Sequence, residues 1–458
     1  MMRLYLPTIA NSCTRRELLR FGVPLWLAAS AKGAPSKSSS TFGRAKSILI
    51  VCASGGQSQL ETWDPKPDAP EEVRGAFASI PTKVPGVRLC EHLPQIARLA
   101  DKFTIVRSMT HDDLDHGSAL YLALTGQFHA RKSSNPPPKP TDHPSWGSVL
   151  TRVRPAKHLP YTAVHLNAPV LVPEEPSPGQ FGGFLGHRVE PIVIGDVTEG
   201  VELARILEPD RELPSVRLQA RQSLLKSLDQ SLRHADHDRE ALTKRAFELL
   251  ASPHVRQSFD LSRENDRTRE RYGRYRAGQA CLLGRRLVEA GVPFVTVFFN
   301  HNIRGQDFHP DQTDEYGWDT HNDIFESMKT HLLPRFDQSF SALLQDLDER
   351  GLLDTTLVVC MGEFGRAPRV AREPSFKGNT PGRKHWAAAY SIVMAGAGVQ
   401  RGAVHGATNR QAGYVVSDPV TPGDLTATIF HALGVDPSGH FEDGTGRPWP
   451  IASGQPIW

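Results

Sequence analysis

Five runs of apolar and β-branched residues constrain the fold of this 458-residue chain most strongly. Each run is continuously hydrophobic, which is typical of a strand buried on both faces of a parallel sheet. Helical segments, for example 91–101, separate the runs, and this alternation predicts an α/β fold with a largely parallel sheet and helices on both faces. The runs are "SILIVCASGG" (47–56), "FTIVRSM" (103–109), "VPFVTVFF" (292–299), "TTLVVCMG" (355–362) and "AYSIVMAGAG" (389–398).

The N-terminal residues have the layout of an export signal. Arg15 and Arg16 precede a short apolar stretch over 21–31, and a serine-rich linker follows. The arginine pair indicates the twin-arginine route, and the apolar stretch is shorter than the roughly 20 residues of a membrane-spanning helix. We predict a signal peptide over 1–34, a linker over 35–45 and a periplasmic or extracellular mature protein. A disordered basic tail is the alternative.

The remaining residues, 46–455, are predicted to form one domain. Within it, the charge-rich segment 201–275 has apolar residues at helical spacing and is interpreted as a helical insertion that packs on the sheet. The formal net charge of +3 comes from mixed acids and bases. Such a mixture gives no basic stripe for nucleic acid, and no later stretch has the length and hydrophobicity of a membrane span.

Polar and ionisable side chains follow the predicted strands. Parallel strands end at one edge of the sheet, outside which ligands bind. Carboxylates and imidazoles bind zinc, calcium or manganese, and one or two such ions can stabilise the oxygens of a phosphoryl or sulfuryl transfer. Taken singly, each motif is also typical of a capping or surface loop, and Glu363 could instead pair with Arg366. The candidates are Ser54, Ser58, Glu61 and Asp64; His111, Asp112, Asp113, Asp115, His116 and Ser118; Asp319, His321 and Asp323; and Glu363, Arg366, Arg383, Lys384 and His385.

A series of ordered motifs resembles the exported domain-of-unknown-function 1501 family over nearly the whole mature chain. That family is grouped with the alkaline phosphatase and sulfatase superfamily, so the resemblance implies an alkaline-phosphatase-like three-layer sandwich. The motifs include "GGQSQLETWDPKPDAPEEVRGAF", "CEHLPQIARLADKFTIVRSMTH", "DHGSALYLALTG", "WDTHND", "GEFGRAPR", "GRKHW" and "VTPGDLTATIFHALGVDP".

The resemblance implies a set of metal ligands. In that superfamily one strand ends in a metal-binding Asp-His pair, and Glu363 and Phe364 stand at the matching positions here. An upstream Asp and His resemble Asp319 and His321, and a downstream histidine resembles His385. A phenylalanine in place of a histidine ligand puts a second ion in doubt. Glu61, which follows the first strand, is a further expected ligand.

The resemblance also implies catalytic and substrate-binding residues. His116 stands where sulfatases have their nucleophile, so it is expected to be a nucleophile or a proton carrier, although it could equally be a ligand. Ser118 is either a substitute nucleophile that contacts substrate or a helix cap. Arg366, Arg383 and Lys384 are expected to offset the charge of ester oxygens, with ordinary surface charge as the alternative for the two arginines.

Two functions are compatible with these patterns. The first is an exported metal-dependent hydrolase of phosphate or sulfate esters, small or polymeric, including sulfated polysaccharide. The second is a non-catalytic surface or periplasmic binding protein that keeps the fold but has lost the nucleophile. Convergence of the candidate ligands on one point would favour the first, because metal binding requires ligand atoms near 2 Å from a common centre.

Overall fold

The computed structural model describes residues 41–198, 252–306, 309 and 311–458. The predicted signal peptide, residues 35–40 of the linker and residues 201–251 of the predicted helical insertion lie outside the described residues. The strands are β1 (Ser47–Cys52), β2 (Ser79–Pro81), β3 (Arg88–Cys90), β4 (Phe103–Met109), β5 (Ala163–Leu166), β6 (Ile192–Ile194), β7 (Phe294–Phe298), β8 (Thr356–Met361), β9 (Gly365–Arg366), β10 (His385–Trp386), β11 (Tyr390–Ala395), β12 (Ala403–His405), β13 (Ala407–Thr408), β14 (Val415–Ser417), β15 (His440–Glu442) and β16 (Pro448–Pro450).

The helices account for most of the remaining regular structure. They are α1 (Glu71–Arg74), α2 (Pro94–Ala97), α3 (His116–Thr125), α4 (Trp146–Val153), α5 (Pro253–Phe259), α6 (Asp266–Tyr272), α7 (Arg276–Glu289), α8 (Ile324–Ser327), α9 (Leu333–Glu349) and α10 (Pro422–Ala432). A π-helical turn over Met328–Leu332 joins α8 to α9. None of the described helices has the length and apolar character needed to cross a membrane.

Eight strands form the central sheet in the order β12-β4-β11-β8-β1-β7-β5-β6. All neighbouring pairs are parallel except the two that β11 makes with β4 and β8, which are antiparallel. Seven strands therefore share one direction and end at the same edge. The prediction of a largely parallel sheet is confirmed.

Side chains of the central strand β1 divide between two cores. Leu49 and Val51 belong to one hydrophobic cluster, and Ile48 and Ile50 belong to another, as the alternation of a strand requires. The first cluster includes residues of α7 and α9, and the second includes residues of α3, α4 and α10. Helices thus cover both faces, and the architecture is a three-layer α/β sandwich.

The predicted helix over 91–101 is shorter than expected. Only one turn, α2, forms, and the carboxylate of Asp337 accepts hydrogen bonds from the amides of Gln95 and Ile96 at its start. The carbonyl of Ala97 accepts a hydrogen bond from the Lys83 amide. Tertiary contacts with α9 and with the preceding loop therefore replace the longer helical ladder.

The four cysteines within the described residues lie in the core. Cys52, Cys90, Cys281 and Cys360 are free thiols and all are buried. Burial raises the pKa of Cys52 and of Cys281 to about 12, so neither thiol is ionised near neutral pH.

Candidate metal centre

The shared edge of the parallel strands brings together segments that are far apart in the sequence. His116 begins α3, which follows β4 after a short loop. Asp319 and His321 lie between β7 and α8, and His385 lies in β10. Because β4, β7 and β8 end at the same edge, these residues meet there, as expected for a site in an α/β fold.

Four side chains form a compact cluster of potential metal ligands: His116, Asp319, His321 and His385. One ligand atom from each lies within 4.8 Å of the others. The Asp319 Oδ1 atom is 3.2 Å from His116 Nε2, 3.1 Å from His321 Nε2 and 3.2 Å from His385 Nε2. The Nε2 atoms of His321 and His385 are 2.9 Å apart.

These separations suit the corners of one coordination sphere. Bonds of about 2.0–2.1 Å to a tetrahedral zinc place its ligand atoms about 3.3 Å from one another. Two imidazole nitrogens at 2.9 Å with no shared proton would repel through their lone pairs, and a cation between them removes that repulsion. The cluster could therefore hold a metal ion.

His385 has the protonation state that a ligand needs. Its Nδ1 atom donates to the Leu114 carbonyl at 2.7 Å, so the lone pair of Nε2 faces the cluster. Burial, together with the positive charge of His116, lowers the pKa of His385 to about 3. The imidazole is neutral at neutral pH and available to coordinate.

His116 and Asp319 carry the charges of the cluster. Burial lowers the pKa of His116, but the carboxylates of Asp319 and Glu363 outweigh burial and raise that pKa to about 9. Burial raises the pKa of Asp319, but His116 and Arg366 outweigh it and hold that pKa well below its usual range. The two carboxylates therefore stabilise a positive charge at His116. A proton bound to the imidazole provides that charge, and a divalent metal ion would provide it more strongly.

Glu363 lies behind His116 and is not in the cluster. Its Oε1 atom accepts a hydrogen bond from His116 Nδ1 at 2.7 Å and another from the Gly55 amide at 2.8 Å. The cluster thus contains His116 and not Glu363; the ligand role expected of Glu363 and the catalytic role expected of His116 stay predictions. The His116 imidazole extends from the helix into the cluster, and the Glu363 carboxylate, which follows the end of β8, orients it.

Arg366 is completely buried and contacts Asp319, one of the four clustered side chains. Its Nη2 atom lies 2.7 Å from Asp319 Oδ1. The guanidinium also donates to four backbone carbonyls: Nε to Gly56, Nη1 to Arg383, and Nη2 to Gly55 and Trp318. Each of its three nitrogens thus has a partner within the protein, and Arg366 holds Asp319 in place; the contact with an ester oxygen that was expected of Arg366 stays a prediction.

Glu61 and Arg383 pair with each other away from the cluster. The Arg383 Nη2 and Nε atoms lie 2.7 Å and 3.0 Å from the two oxygens of Glu61, and both residues are buried. The same guanidinium donates to the carbonyl of Val73 at 2.7 Å. Each satisfies the charge of the other, and Glu61 is not among the four clustered side chains; a metal role for Glu61 and a substrate role for Arg383 stay predictions.

Replacing Glu61 with glutamine tests this assignment. We expect E61Q to leave the metal content of the purified protein unchanged and to lower its free energy of unfolding by about 3–5 kcal/mol, because Arg383 keeps its buried charge without a countercharge. Elemental analysis and urea unfolding measure the two quantities. Loss of bound metal from E61Q at unchanged stability would identify Glu61 as a ligand.

Ser118 and Lys384 also have protein partners. Ser118 Oγ donates to Asp113 Oδ1 at 2.7 Å and accepts from the Ser134 amide, so it braces the start of α3 and is not turned toward the cluster. The Lys384 ammonium is 62% exposed and pairs with Glu373 Oε1 at 2.5 Å. Of the predicted substrate-binding residues, Lys384 is the one at the surface.

Phe364 forms an apolar wall of the centre. It is completely buried, and its ring centroid is 5.0 Å from that of His116 and 4.7 Å from that of His385. Among the residues that the structure describes, one group of His, Cys, Asp and Glu side chains has ligand geometry. This arrangement provides for one ion, on the side of Phe364 where the imidazoles lie.

Two contacts of His321 were missed in the sequence. The ring of Phe376 stacks on the His321 imidazole with centroids 3.7 Å apart and planes 5° from parallel. Glu373 Oε2 lies 3.6 Å from His321 Nδ1. Both residues belong to an irregular segment rich in Gly, Pro and charge, where no periodicity signals which side chains face inward.

Comparisons with solved structures find proteins with little sequence identity. The crystal structure of Ps i-CgsB has 13% identity and a TM-score of 0.43, with 90% of this chain and 75% of that chain covered. The lipoteichoic acid synthase LtaP from Listeria monocytogenes has 11% identity and a TM-score of 0.39 over 91% and 77% of the two chains. The phosphonate monoester hydrolase SpPMH from Silicibacter pomeroyi has 13% identity and a TM-score of 0.39 over 90% and 75%.

Comparisons of the sequence give a more direct result. No curated protein matches this chain. A family model described as "Protein of unknown function (DUF1501)" matches residues 45–457, which is almost all of the predicted mature chain.

Proposed function

The chain belongs to the DUF1501 family, and we propose that it is a zinc-dependent hydrolase of phosphate or sulfate esters. One observation carries the proposal: three imidazole nitrogens and one carboxylate oxygen, supplied by three separate segments of the sequence, converge within 4.8 Å at the edge where the parallel strands end. Buried groups of this kind approach so closely where they bind a common cation.

The donor set favours zinc among the three ions considered. Imidazole nitrogen suits zinc, whereas calcium takes six to eight oxygen ligands. Manganese prefers carboxylate, carbonyl and water oxygens. Three imidazoles and one carboxylate therefore match zinc best, at one ion per chain.

The contacts of His116 argue against a covalent enzyme intermediate on that residue. Its Nδ1 atom is hydrogen-bonded to Glu363, and its Nε2 atom lies 3.2 Å from Asp319 Oδ1. Ser118 is bonded to Asp113. A water molecule is then the nucleophile, and the ester is cleaved in a single displacement.

The start of α3 does not offer its amides to an anion. The Gly117 amide donates to Asn135 Oδ1 at 2.7 Å, and the Ser118 amide donates to the Ser134 carbonyl at 3.0 Å. A zinc ion held by the four side chains would supply Lewis-acid chemistry, and the charge of the ester oxygens would then be offset there and not at these amides. Substrate approaches past His385, whose side chain is 17% exposed and the most accessible of the four.

Substrates of the proposed enzyme are anionic esters, small or polymeric, and sulfated polysaccharide is one class to be tested. Lys384 lies at the surface near the centre, but its ammonium is held by Glu373. We also propose that residues 1–34 direct the protein through the twin-arginine route, so that it acts in the periplasm or outside the cell.

Aryl ester hydrolysis is the direct test of this function. Purified mature protein loaded with one equivalent of zinc is expected to release nitrophenol from 4-nitrophenyl phosphate or 4-nitrophenyl sulfate, and chelation is expected to abolish the release. In water enriched in oxygen-18, the label should enter the phosphate or sulfate product, and mass spectrometry of protein quenched during turnover should show no phosphoryl or sulfuryl adduct. Zinc-loaded protein that hydrolyses neither ester nor any polymeric sulfate would exclude hydrolysis.

One observation favours a second function. Structural zinc sites have four protein ligands, whereas catalytic sites usually have three and leave one position open. The four ligands here can complete a tetrahedron, which suits the non-catalytic binding protein that retains the fold. Zinc-loaded but inactive protein that binds a sulfated polysaccharide in a calorimetric titration would support this function.

A further inference from the structure

The segment 369–384 packs against His321 of the candidate metal centre, and we call it the cover segment. Its attachment uses the residues that directly follow the ligand His321. Asn322 Nδ2 donates to the carbonyls of Glu373, Phe376 and Lys377 at 2.9, 3.1 and 2.9 Å, and Asn322 Oδ1 accepts from the Glu373 amide at 2.9 Å. One buried amide thus fixes both the position and the turn of this segment.

A second attachment comes from Asp323. Its carboxylate accepts from the amides of Asn379 and Thr380 at 3.0 and 2.6 Å, and from the Thr380 hydroxyl at 2.7 Å. Asp323 has a φ of 52°, a left-handed conformation that aspartate adopts more readily than most residues other than glycine. Its carboxylate therefore holds the cover segment at a second point.

The cover segment places two side chains on His321. Phe376 lies flat against one face of the ring, at 3.7 Å between centroids. Glu373 Oε2 lies 3.6 Å from Nδ1, a buried nitrogen that has no hydrogen bond within the described residues. Glu373 Oε1 is held by Lys384 at 2.5 Å, so the carboxylate is anchored on its outer side.

We propose that Glu373 is a positioning residue of the metal centre. Its carboxylate accepts a hydrogen bond from the Nδ1–H group of His321, so that Nε2 presents its lone pair to the ion. The inference rests on the proposed metal site but not on ester hydrolysis. Metal-bound histidines commonly donate their second nitrogen to a carboxylate, which fixes the tautomer and raises the basicity of the ligand. A shift of the Glu373 carboxylate by about half an ångström brings the pair within hydrogen-bonding distance.

The other two imidazoles have such a partner already. His116 Nδ1 is bonded to Glu363 at 2.7 Å, and His385 Nδ1 is bonded to the Leu114 carbonyl at 2.7 Å. His321 is the remaining ligand, and Glu373 is the acceptor that faces its free nitrogen. With Glu373 in this role, each of the three imidazoles has its own acceptor behind it.

The variant E373Q tests the proposal in the full mature chain, with E442Q as the matched control at an exposed position of β15. Zinc affinity is measured by competition with a chromophoric chelator, and the cobalt-substituted proteins are compared by visible absorption. We expect zinc affinity to fall about 10- to 100-fold in E373Q, with an altered cobalt spectrum, and to stay at the wild-type value in E442Q. Melting of the two metal-free variants should match.

A second variant, N322D, tests whether the backbone of the cover segment holds Glu373 beside His321. It replaces the amide donor that faces three carbonyls with a carboxylate, so the cover segment should detach and zinc affinity should fall at least as far as in E373Q. Unchanged affinity and cobalt spectrum in E373Q would overturn the positioning role while leaving the zinc site intact. A wild type that binds zinc without hydrolysing esters would remove only the enzymatic function, and a wild type that binds no zinc would overturn both.

Discussion

Replacing His385 with alanine should lower the zinc affinity of the mature protein by at least about 100-fold, because the loss of a ligand exceeds the 10- to 100-fold effect of losing an outer partner. The Nε2 atom of His385 lies 2.9 Å from that of His321 and 3.2 Å from Asp319 Oδ1. Without it, three ligands remain. The purified variant should contain well under one zinc per chain by elemental analysis.

The variant H385A is chosen because it should still fold. The pKa of His385 is held at about 3, so its removal takes away a neutral group and leaves no uncompensated charge. The Leu114 carbonyl loses one hydrogen bond, which costs about 1 kcal/mol. H440A, at an exposed position, is the matched control and should retain zinc. Full zinc content in H385A would mean that the four side chains do not share an ion.

Replacing Arg366 with alanine should give the second large effect, a loss of about 3–5 kcal/mol in the free energy of unfolding of the metal-free protein. Its guanidinium is completely buried and lies 2.7 Å from Asp319 Oδ1. Removing it leaves that carboxylate with less positive charge around it and leaves four backbone carbonyls without their donor. Urea unfolding in the presence of a chelator measures the loss.

Zinc should offset part of this loss. An ion bound at Asp319 supplies positive charge to the same oxygen, and any ligand that binds only the folded state adds stability by mass action. The difference in unfolding free energy between wild type and R366A should therefore shrink when zinc is in excess. R369A, in which an exposed arginine three residues away is removed, should change stability by less than about 0.5 kcal/mol. An equal loss with and without zinc would show that Arg366 acts on the fold alone.

The sequence determined the class of fold through its strands. The runs at 103–109 and 355–362 became β4 and β8 with nearly the predicted bounds, because a continuous apolar run of this length is stable only when both faces are covered. The short strands β5 and β6 were not predicted. Three or four residues are too few for a pattern to stand out from a loop.

The sequence also indicated where the site lies, but not which of its residues lie in the cluster and which hydrogen-bond to the cluster from outside. Because parallel strands end at one edge, the positions of His116, Asp319, His321 and His385 along the chain were enough to predict that they lie near each other. The sequence did not show that His116 would lie in the cluster while Glu363, 247 residues away, would lie behind it as a hydrogen-bond partner. Which of two such groups reaches the centre depends on side-chain length and on the element that carries it.

Charge pairing is the part that only the tertiary structure decided. Glu61 was expected to bind a metal, but its distance of 2.7 Å from Arg383, 322 residues away, gives it a closer countercharge. Glu373 has no pattern around it, and it gains a role only because Asn322 holds its backbone beside His321. Strand patterns are local and can be read along the chain. The partner of a buried charge is set by distances of a few ångströms between remote segments, and these exist only once the chain has folded.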